Sequence, residues 1–141
     1  EVPGANGGLN TNYEGKAEAG VKALLEEGAD FVYIHVEAPD EMGHQGSVER
    51  KVKAIEYLDQ RLIRIVAGEM DRSGEDYRLL IMPDHPTPIS CRTHVSDPVP
   101  YLLYDSRKNE GQGLLYSEAN GKKSGILIKD GYKMIDRLLQ D

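Results

Sequence analysis

Carboxylate and imidazole side chains recur together in segments of the sequence that are rich in glycine or proline. Asp40 and His44 are four residues apart in the segment PDEMGH, and Asp84 and His85 are adjacent in MPDHP. His94 stands in a third such segment, THVSDPVP. Mixed imidazole and carboxylate ligation suits zinc or manganese better than calcium. We therefore predict that these five side chains bind divalent metal ions.

The backbone of the first two segments favours convergence of their side chains. We predict a loop over 37–46, because Gly43 and Gly46 permit turns with positive φ. Such turns would fold the two ligands of this segment onto one ion. Asp84 and His85 follow a predicted strand, where the alternation of side-chain direction ends and both can point to one metal. The prolines on either side of this pair restrict its backbone.

Apolar periodicity and turn signals predict the elements that must position these residues. The first helix should have Thr11 as its N-cap, with Glu14 completing a capping box, and should stop at Gly28. A long helix follows later, and we interpret its apolar stripe over 48–66 as core packing. A short strand is possible at 114–116. The predicted elements, in chain order, are helix 11–27, strand 30–36, helix 47–70, strand 77–82, strand 99–104 and helix 130–139.

The order of these elements indicates the fold class. Buried strands that alternate with helices are typical of an α/β fold with a parallel or mixed sheet covered on both faces. Asp40 and Asp84 each follow a predicted strand. In open α/β sheets, ligands bind beyond the carboxyl ends of the strands. If the two strands are parallel, we expect both aspartates at the same edge of the sheet.

Composition limits the class of protein further. The 141 residues suffice for one domain or part of one, and the absence of an initiating methionine suggests an excised fragment. The formal net charge of −7 argues against nucleic-acid binding, although bound divalent cations would reverse it locally for an anionic substrate. No stretch approaches the roughly 20 apolar residues of a membrane helix. The single cysteine, Cys91, excludes a disulfide within the chain and favours a cytoplasmic location.

Four segments of the chain resemble a known family. HVEAPDEMGHQG at 35–46 resembles the phosphoglycerate mutase pattern N-P-D-x-x-G-H-x-G, with Ala38 in place of the asparagine. PDHPTP at 83–88 resembles the Asp-His metal pair of the alkaline phosphatase superfamily, and THVSDPVP at 93–100 resembles its final metal histidine. NTNYEGKAEA at 10–19 resembles the segment that leads into the same block in the archaeal branch. The chain is therefore similar to cofactor-independent phosphoglycerate mutases of the archaeal type, in the alkaline phosphatase superfamily.

The resemblance implies a fold and a reaction. It implies that 1–141 is the C-terminal portion of a metal-binding, phosphatase-like domain, which is part of a three-layer αβα sandwich. The implied reaction is a glycolytic isomerisation, in which 3-phosphoglycerate and 2-phosphoglycerate interconvert through a phosphoserine without any bisphosphoglycerate. The substrate would be a small phosphorylated acid, and the enzyme would be cytoplasmic.

The resemblance also implies how two divalent metals, manganese or zinc, are held. Motif matching assigns one metal to Asp40, His44 and His94, and the other to Asp84 and His85. In the family, the second metal also takes an aspartate and the nucleophilic serine from a segment that has no match here. The chain alone is therefore expected to be inactive, and it should also lack the family's inserted domain.

Two other functions stay open at this point: a metal-dependent phosphatase or phosphodiesterase of the same superfamily, and a non-catalytic domain that retains the metal ligands. The roles of Glu37 and Glu41 also stay open: they either orient those ligands or lie in solvent. We interpret His35 as a core or edge histidine and Lys16 as a solvated helix residue. Cys91 is not expected to act as a nucleophile, because the nearby histidine is assigned to the metal. The sequence indicates no oligomeric state.

Overall fold

The computed structural model describes residues 1–108, 111 and 113–140, and the chain divides into two compact units. The first unit consists of Glu1–Glu75 with Thr87–Val95, and the second of Asp76–Pro86 with Ser96–Asp141. The elements of the first unit are α1 (Tyr13–Leu25), α2 (Ala38–His44), α3 (Val48–Leu58), a π-helical turn (Asp59–Ile63) and α4 (Arg64–Ser73). Those of the second are β1 (Arg78–Ile81), β2 (Leu102–Asp105), α5 (Glu118–Lys123), a 3-10 turn (Gly131–Lys133) and α6 (Met134–Leu139).

Helix α1 begins one residue later than the sequence predicts. Its N-cap is Asn12, whose side chain accepts a hydrogen bond of 2.9 Å from the backbone N–H three residues on. The predicted cap, Thr11, is wrong, because this residue is buried and its hydroxyl accepts from the backbone N–H of Asn6 instead. The helix ends at Leu25, and Gly28 occupies the turn beyond it with φ of +74°.

Residues 30–36, predicted to be a buried strand, have no regular secondary structure and pair with no strand in the described part of the chain. Exposure alternates along this segment. Val32 and Ile34 face α1, where a Cβ on Gly20 would lie only 2.8 Å from Ile34 Cδ1. Tyr33, between them, is 72% exposed. The prediction of a strand buried on both faces is wrong, because only alternate side chains of the apolar run are covered.

The long helix predicted over 47–70 is confirmed. It begins after Ser47, whose hydroxyl accepts a hydrogen bond of 3.3 Å from the backbone N–H of Arg50. It ends before Gly74, which adopts the left-handed conformation common after helices, with φ of +74°. The π-helical turn Asp59–Ile63 in its middle was not predicted, since a single wider turn leaves no clear signature in apolar spacing.

Arg61, within the π-helical turn, ties this helix to α1. Its Nε lies 2.6 Å from Glu14 Oε1 and its Nη2 lies 3.0 Å from Glu14 Oε2. The guanidinium also stands over the rings of Tyr13 and Tyr57, at 5.2 and 4.8 Å from their centroids. The hydrogen bonds from Arg61 lower the pKa of the Glu14 carboxyl, whereas burial raises the pKa of the Tyr13 hydroxyl.

The apolar stripe of the long helix is buried over only part of its length. Leu62 and Val66 lie in the core, as predicted, together with Met70. The apolar residues of α3 that are at least half exposed are Val48, Val52 and Ile55. Helix α3 packs against α2 with a narrow face, on which Ala54 is the buried residue. The core-packing prediction is therefore confirmed for the C-terminal half of the stripe and wrong for its N-terminal half.

The described sheet is a single antiparallel pair in the second unit. Arg78 of β1 stands opposite Asp105 of β2, and Ile81 stands opposite Leu102. The prediction of a parallel or mixed sheet is therefore wrong for the described residues. A parallel pair needs a crossover connection, usually a helix, and residues 82–101 contain no helix. The connection is the irregular segment 82–101, part of which belongs to the first unit.

Asp105 forms ion pairs with two arginines in the second unit. It accepts hydrogen bonds from Arg107, with Nη2 2.9 Å from Oδ2, and from Arg78, with Nε 2.8 Å from Oδ2. Together Arg107 and Arg78 hold the pKa of the Asp105 carboxyl well below its usual range. Arg78 also donates to the Leu138 carbonyl at 3.1 Å, so the same side chain connects the sheet to α6.

The polar region after β2 contains a helix rather than a strand. The possible strand at 114–116 is wrong: the segment is irregular, and the Tyr116 hydroxyl donates to the Pro100 carbonyl at 3.0 Å. Partial burial of this side chain, which is 45% exposed, raises the pKa of Tyr116 to about 12. Helix α5 follows with Ser117 as N-cap, and the helix predicted over 130–139 is confirmed as a 3-10 turn continued by α6.

Within the described ranges, no helix combines the length and the apolar character needed to cross a membrane.

Candidate metal centre

Two of the predicted ligands lie on a short helix, not in a loop. The prediction of a loop over 37–46 is wrong, because Ala38–His44 form α2. Pro39 fits the first turn of a helix, and carboxylates in that turn interact favourably with the helix dipole. Residues at positions i and i+4 of a helix share one face. Asp40 and His44 therefore project to the same side without any unusual backbone conformation.

His94 completes a cluster of three potential metal ligands within the first unit. Asp40 Oδ2 lies 3.3 Å from His44 Nε2, and Asp40 Oδ1 lies 3.3 Å from His94 Nε2. The two imidazole Nε2 atoms are 3.1 Å apart. One donor atom from each residue falls within 4.8 Å of the other two. The side chains of His44 and His94 are 37% and 53% exposed, so the cluster is open to solvent on one side.

The spacing of these donor atoms fits a small divalent cation. Zinc bonds to nitrogen and oxygen of about 2.0–2.1 Å give a tetrahedron whose edges are about 3.3–3.4 Å. The measured separations of 3.1 and 3.3 Å are close to that edge. Two imidazoles and one carboxylate are also a donor set that zinc and manganese accept. The residues therefore fit the metal that the sequence predicts.

The hydrogen bonding of His44 prepares this ring to bind a metal. Its Nδ1 lies 2.9 Å from the backbone carbonyl oxygen of Arg92. A carbonyl oxygen only accepts, so Nδ1 carries the proton and donates. In the neutral ring, Nε2 then has its lone pair directed toward Asp40 and His94. Histidines that bind metals are commonly oriented by such a bond from the other ring nitrogen.

Arg92, whose backbone carbonyl bonds to His44, has an unusual backbone conformation. Its φ is +54°, and in the described part of the chain it is the one residue other than glycine with positive φ. Its guanidinium packs on Gly46, where a Cβ would lie 2.7 Å from Arg92 Cζ. Gly46 itself has φ of +69°. The positive φ of Gly46 favours glycine, whereas the guanidinium of Arg92 is exposed and could move away from a larger residue.

Thr87 holds the carboxylate side of the cluster, and sequence reasoning assigned it no role. This residue is 4% exposed, and its hydroxyl donates to Asp40 Oδ1. Its backbone carbonyl accepts a hydrogen bond of 2.5 Å from Lys51 Nζ. The same carbonyl lies so close to α2 that a Cβ on Gly43 would stand 2.6 Å from it. The motif PDHPTP contained Thr87, but only the folded chain shows its contact with Asp40.

The other two predicted ligands lie in the second unit. Asp84 and His85 follow β1, as predicted. Their side chains face each other, with Asp84 Oδ2 3.5 Å from His85 Nε2. Asp84 Oδ1 also accepts the backbone N–H of His85 at 3.1 Å. Their assignment to a second metal stays a prediction.

The remaining candidates have contacts of their own. His35 is exposed, with its Nδ1 3.3 Å from the Tyr33 hydroxyl and its Nε2 3.7 Å from Glu37 Oε1. Lys16, predicted to be solvated, instead donates to the His35 carbonyl at 2.8 Å. The Cys91 thiol is exposed and faces backbone carbonyls rather than an imidazole. These contacts leave Glu37 near His35 rather than near the cluster.

Comparison with known proteins identifies the family of the chain. Residues 1–135 match the family described as the metalloenzyme superfamily. A relative from Geobacter sulfurreducens, named a probable 2,3-bisphosphoglycerate-independent phosphoglycerate mutase, is 43% identical over 140 residues, which are 99% of this chain and 34% of the relative. A 2,3-bisphosphoglycerate-independent phosphoglycerate mutase from Methanosarcina acetivorans is 47% identical over 127 residues, 90% of this chain and 32% of the relative.

The chain is also similar to a solved structure. The PH0037 protein from Pyrococcus horikoshii superposes with a TM-score of 0.73 at 30% identity, over 86% of this chain and 36% of that one. The chain thus spans about a third of the length of the curated relatives it matches. On the match that covers residues 1–135, the chain belongs to the metalloenzyme superfamily.

Proposed function

We propose that this chain is the metal-binding portion of a 2,3-bisphosphoglycerate-independent phosphoglycerate mutase, an isomerase of glycolysis. The observation that carries the proposal is the convergence of Asp40, His44 and His94 on one point, with donor separations that suit a divalent cation. The names of the relatives from Geobacter and Methanosarcina support the choice of reaction. The fold we propose is part of an alkaline phosphatase-like αβα sandwich, and the location is cytoplasmic.

The three clustered residues would hold one metal ion, manganese or zinc, and Asp84 with His85 would contribute to a second. When bound, such ions lower the pKa of an attacking hydroxyl and offset the charge of a transferring phosphoryl group. The part of this chain is to present the donors: α2 supplies a carboxylate and an imidazole on one face, and the segment 87–95 supplies the second imidazole.

The charge of the cluster explains how an acidic protein would accept an anionic substrate. The chain carries a formal net charge of −7, which opposes the approach of a phosphorylated acid. Asp40 contributes one negative charge to the cluster, and imidazoles that bind a metal through a lone pair contribute none. A bound divalent cation therefore changes the local charge from −1 to +1. At about 4 Å and an effective dielectric constant of about 20, such a charge attracts a unit anion by roughly 4 kcal/mol.

Metal binding is tested by calorimetric titration of the 141-residue chain with Zn²⁺ and with Mn²⁺. We expect binding in the wild type and its loss in Asp40→Asn and His44→Gln. Glu49→Gln and His35→Gln are the matched controls, since they change a carboxylate and an imidazole at exposed positions outside the cluster. Equal metal uptake in the cluster variants and the wild type would contradict the assignment of the site.

The reaction is tested in a chimera, in which this chain replaces the corresponding third of the Geobacter relative. We expect the chimera to convert 3-phosphoglycerate to 2-phosphoglycerate in a coupled enolase assay, and we expect Asp40→Asn to abolish the conversion. Release of inorganic phosphate without isomerisation would favour a phosphatase. Metal uptake by the chain without either reaction in the chimera would favour a non-catalytic metal-binding domain.

A further inference from the structure

Thr87 is the polar side chain that connects the candidate metal centre to the interior of the first unit. We propose that it is a positioning residue, whose hydroxyl fixes the Asp40 carboxylate in the orientation that binds metal. This inference rests on the proposed metal-binding function of the cluster. It concerns a residue that does not contact the metal and that acts through Asp40.

The direction of the hydrogen bond between Thr87 and Asp40 follows from chemistry. An ionised carboxylate has no proton to donate, so the Thr87 hydroxyl donates and Asp40 Oδ1 accepts. The other carboxylate oxygen, Oδ2, lies 3.3 Å from His44 Nε2. The bond from Thr87 therefore holds the oxygen that lies 3.3 Å from His94 Nε2, while the other oxygen faces His44. Hydrogen bonds to charged groups are shorter and stronger than those between neutral groups.

The backbone of Thr87 is itself held in place, so its hydroxyl has a defined position. Lys51 Nζ, on α3, donates to the Thr87 carbonyl at 2.5 Å. Gly43, on α2, leaves room for that carbonyl, since any Cβ there would overlap it. Thr87 thus packs between α2 and α3. It is 4% exposed, so its side chain cannot turn outward into solvent. Because the Thr87 hydroxyl is fixed, the Asp40 oxygen that accepts its hydrogen bond is fixed as well.

The side chain of threonine permits a clean separation of positioning from packing. The Thr87 methyl group contacts the helix at Gly43, where a Cβ would stand 3.1 Å from Cγ2, and the hydroxyl contacts Asp40. Thr87→Val keeps the methyl contact and removes the hydroxyl. Thr87→Ser keeps the hydroxyl and removes the methyl group. A packing role predicts that the serine variant is the worse of the two, and a positioning role predicts the opposite.

The experiment measures Zn²⁺ affinity of the 141-residue chain by calorimetry and Co²⁺ coordination by visible absorption. We expect Thr87→Val to weaken Zn²⁺ binding by about 10–100-fold, the range found for residues that orient metal ligands. We expect Thr87→Ser to restore the wild-type affinity and the wild-type Co²⁺ spectrum. Thr11→Val is the matched control, because Thr11 is a second buried threonine, 1% exposed, whose hydroxyl bonds Asn6.

Two outcomes would overturn the inference: unchanged affinity in Thr87→Val, or a loss in Thr87→Ser as large as in the valine variant. Failure of the proposed function has a different signature, because the wild type itself would then take up no metal. In that case, NMR spectra of the metal-free chain still test the positioning role. The ring signals of His44 and His94 should shift in Thr87→Val and remain in place in Thr87→Ser. Unmoved signals in the valine variant would refute it.

Discussion

We expect Gly43→Ala to move helix α2, which carries Asp40 and His44, away from the segment that carries Thr87 and His94. Gly43 lies in α2 between the two ligands of that helix, and it faces the segment that contains Thr87. An alanine Cβ would stand 2.6 Å from the Thr87 carbonyl oxygen and 3.1 Å from both Thr87 Cγ2 and Lys51 Nζ. The closest of these atoms belongs to the backbone, so a side-chain rotation cannot relieve the overlap.

The size of the effect follows from two opposing contributions. Ordinary contacts of a Cβ begin at 3.4 Å, so α2 and the Thr87 segment must separate by about 0.8 Å. Overpacking of this kind costs about 1–3 kcal/mol. Replacing glycine by alanine inside a helix contributes about 0.5–1 kcal/mol in the favourable direction. We therefore expect the free energy of unfolding to fall by about 0–2.5 kcal/mol, and Tm to fall by up to about 8 °C.

The assay is thermal and urea unfolding of the metal-free chain, followed by Zn²⁺ titration. Gly68→Ala is the matched control, because Gly68 lies inside α4 and its Cβ would meet nothing within 4 Å. We expect that variant to be more stable than the wild type by about 0.5–1 kcal/mol. Separation of Thr87 from Asp40 should also weaken Zn²⁺ binding in Gly43→Ala by about tenfold or more. A Gly43→Ala chain as stable as Gly68→Ala, with wild-type affinity, would refute the reasoning.

Three further predictions concern the metal, the strained backbone and pH. Zn²⁺ at 100 times its Kd should raise the free energy of unfolding by about 2.7 kcal/mol, measured by urea unfolding, and His94→Gln should abolish the increase. Arg92→Gly should bind Zn²⁺ more tightly than Arg92→Ala in calorimetry, because glycine tolerates φ of +54° and alanine is strained there by about 1–2 kcal/mol. The Asp105 pKa is lowered in the folded chain, so its stabilisation is complete above the unfolded pKa of about 3.9 and is lost as pH falls below it. Urea unfolding between about pH 6 and pH 2 should therefore show a smaller loss of stability in Asp105→Asn than in the wild type, and parallel curves would contradict this.

The sequence predicts the partners in the cluster better than the local structure that brings them together. The spacing of Asp40 and His44 suits one face of a helix, yet Gly43 and Gly46 favoured a loop. In the folded chain Gly43 serves as a contact point for Thr87, and Gly46 makes room for Arg92. Both uses depend on residues that are some 40 positions away, so no local pattern reveals them.

The elements were predictable where burial is regular and unpredictable where it is not. The helix after Ser47 shows a clear cap and a clear apolar repeat, and it is present in full. The run 30–36 is equally apolar, but its exposure alternates, and composition alone does not tell which face is covered. The direction of β2 depends on the connection before it, residues 82–101, where the absence of a helix was the available signal for an antiparallel pair.

The π-helical turn Asp59–Ile63 is the place in the long helix where its length can change by one residue. A π-helical turn holds about one residue more than an α-helical turn, because its hydrogen bonds run from i to i+5. Deletion of one residue from it should let the turn close as an α-helical turn, so that α4 keeps its orientation and Val66 stays in the interior. Successive residues of an α-helix are rotated by about 100°, so the same deletion within α3 or α4 would turn the residues beyond it by that angle. Homologues that keep this packing should therefore differ in length at this turn and in the flanking turns, and not within α3 or α4.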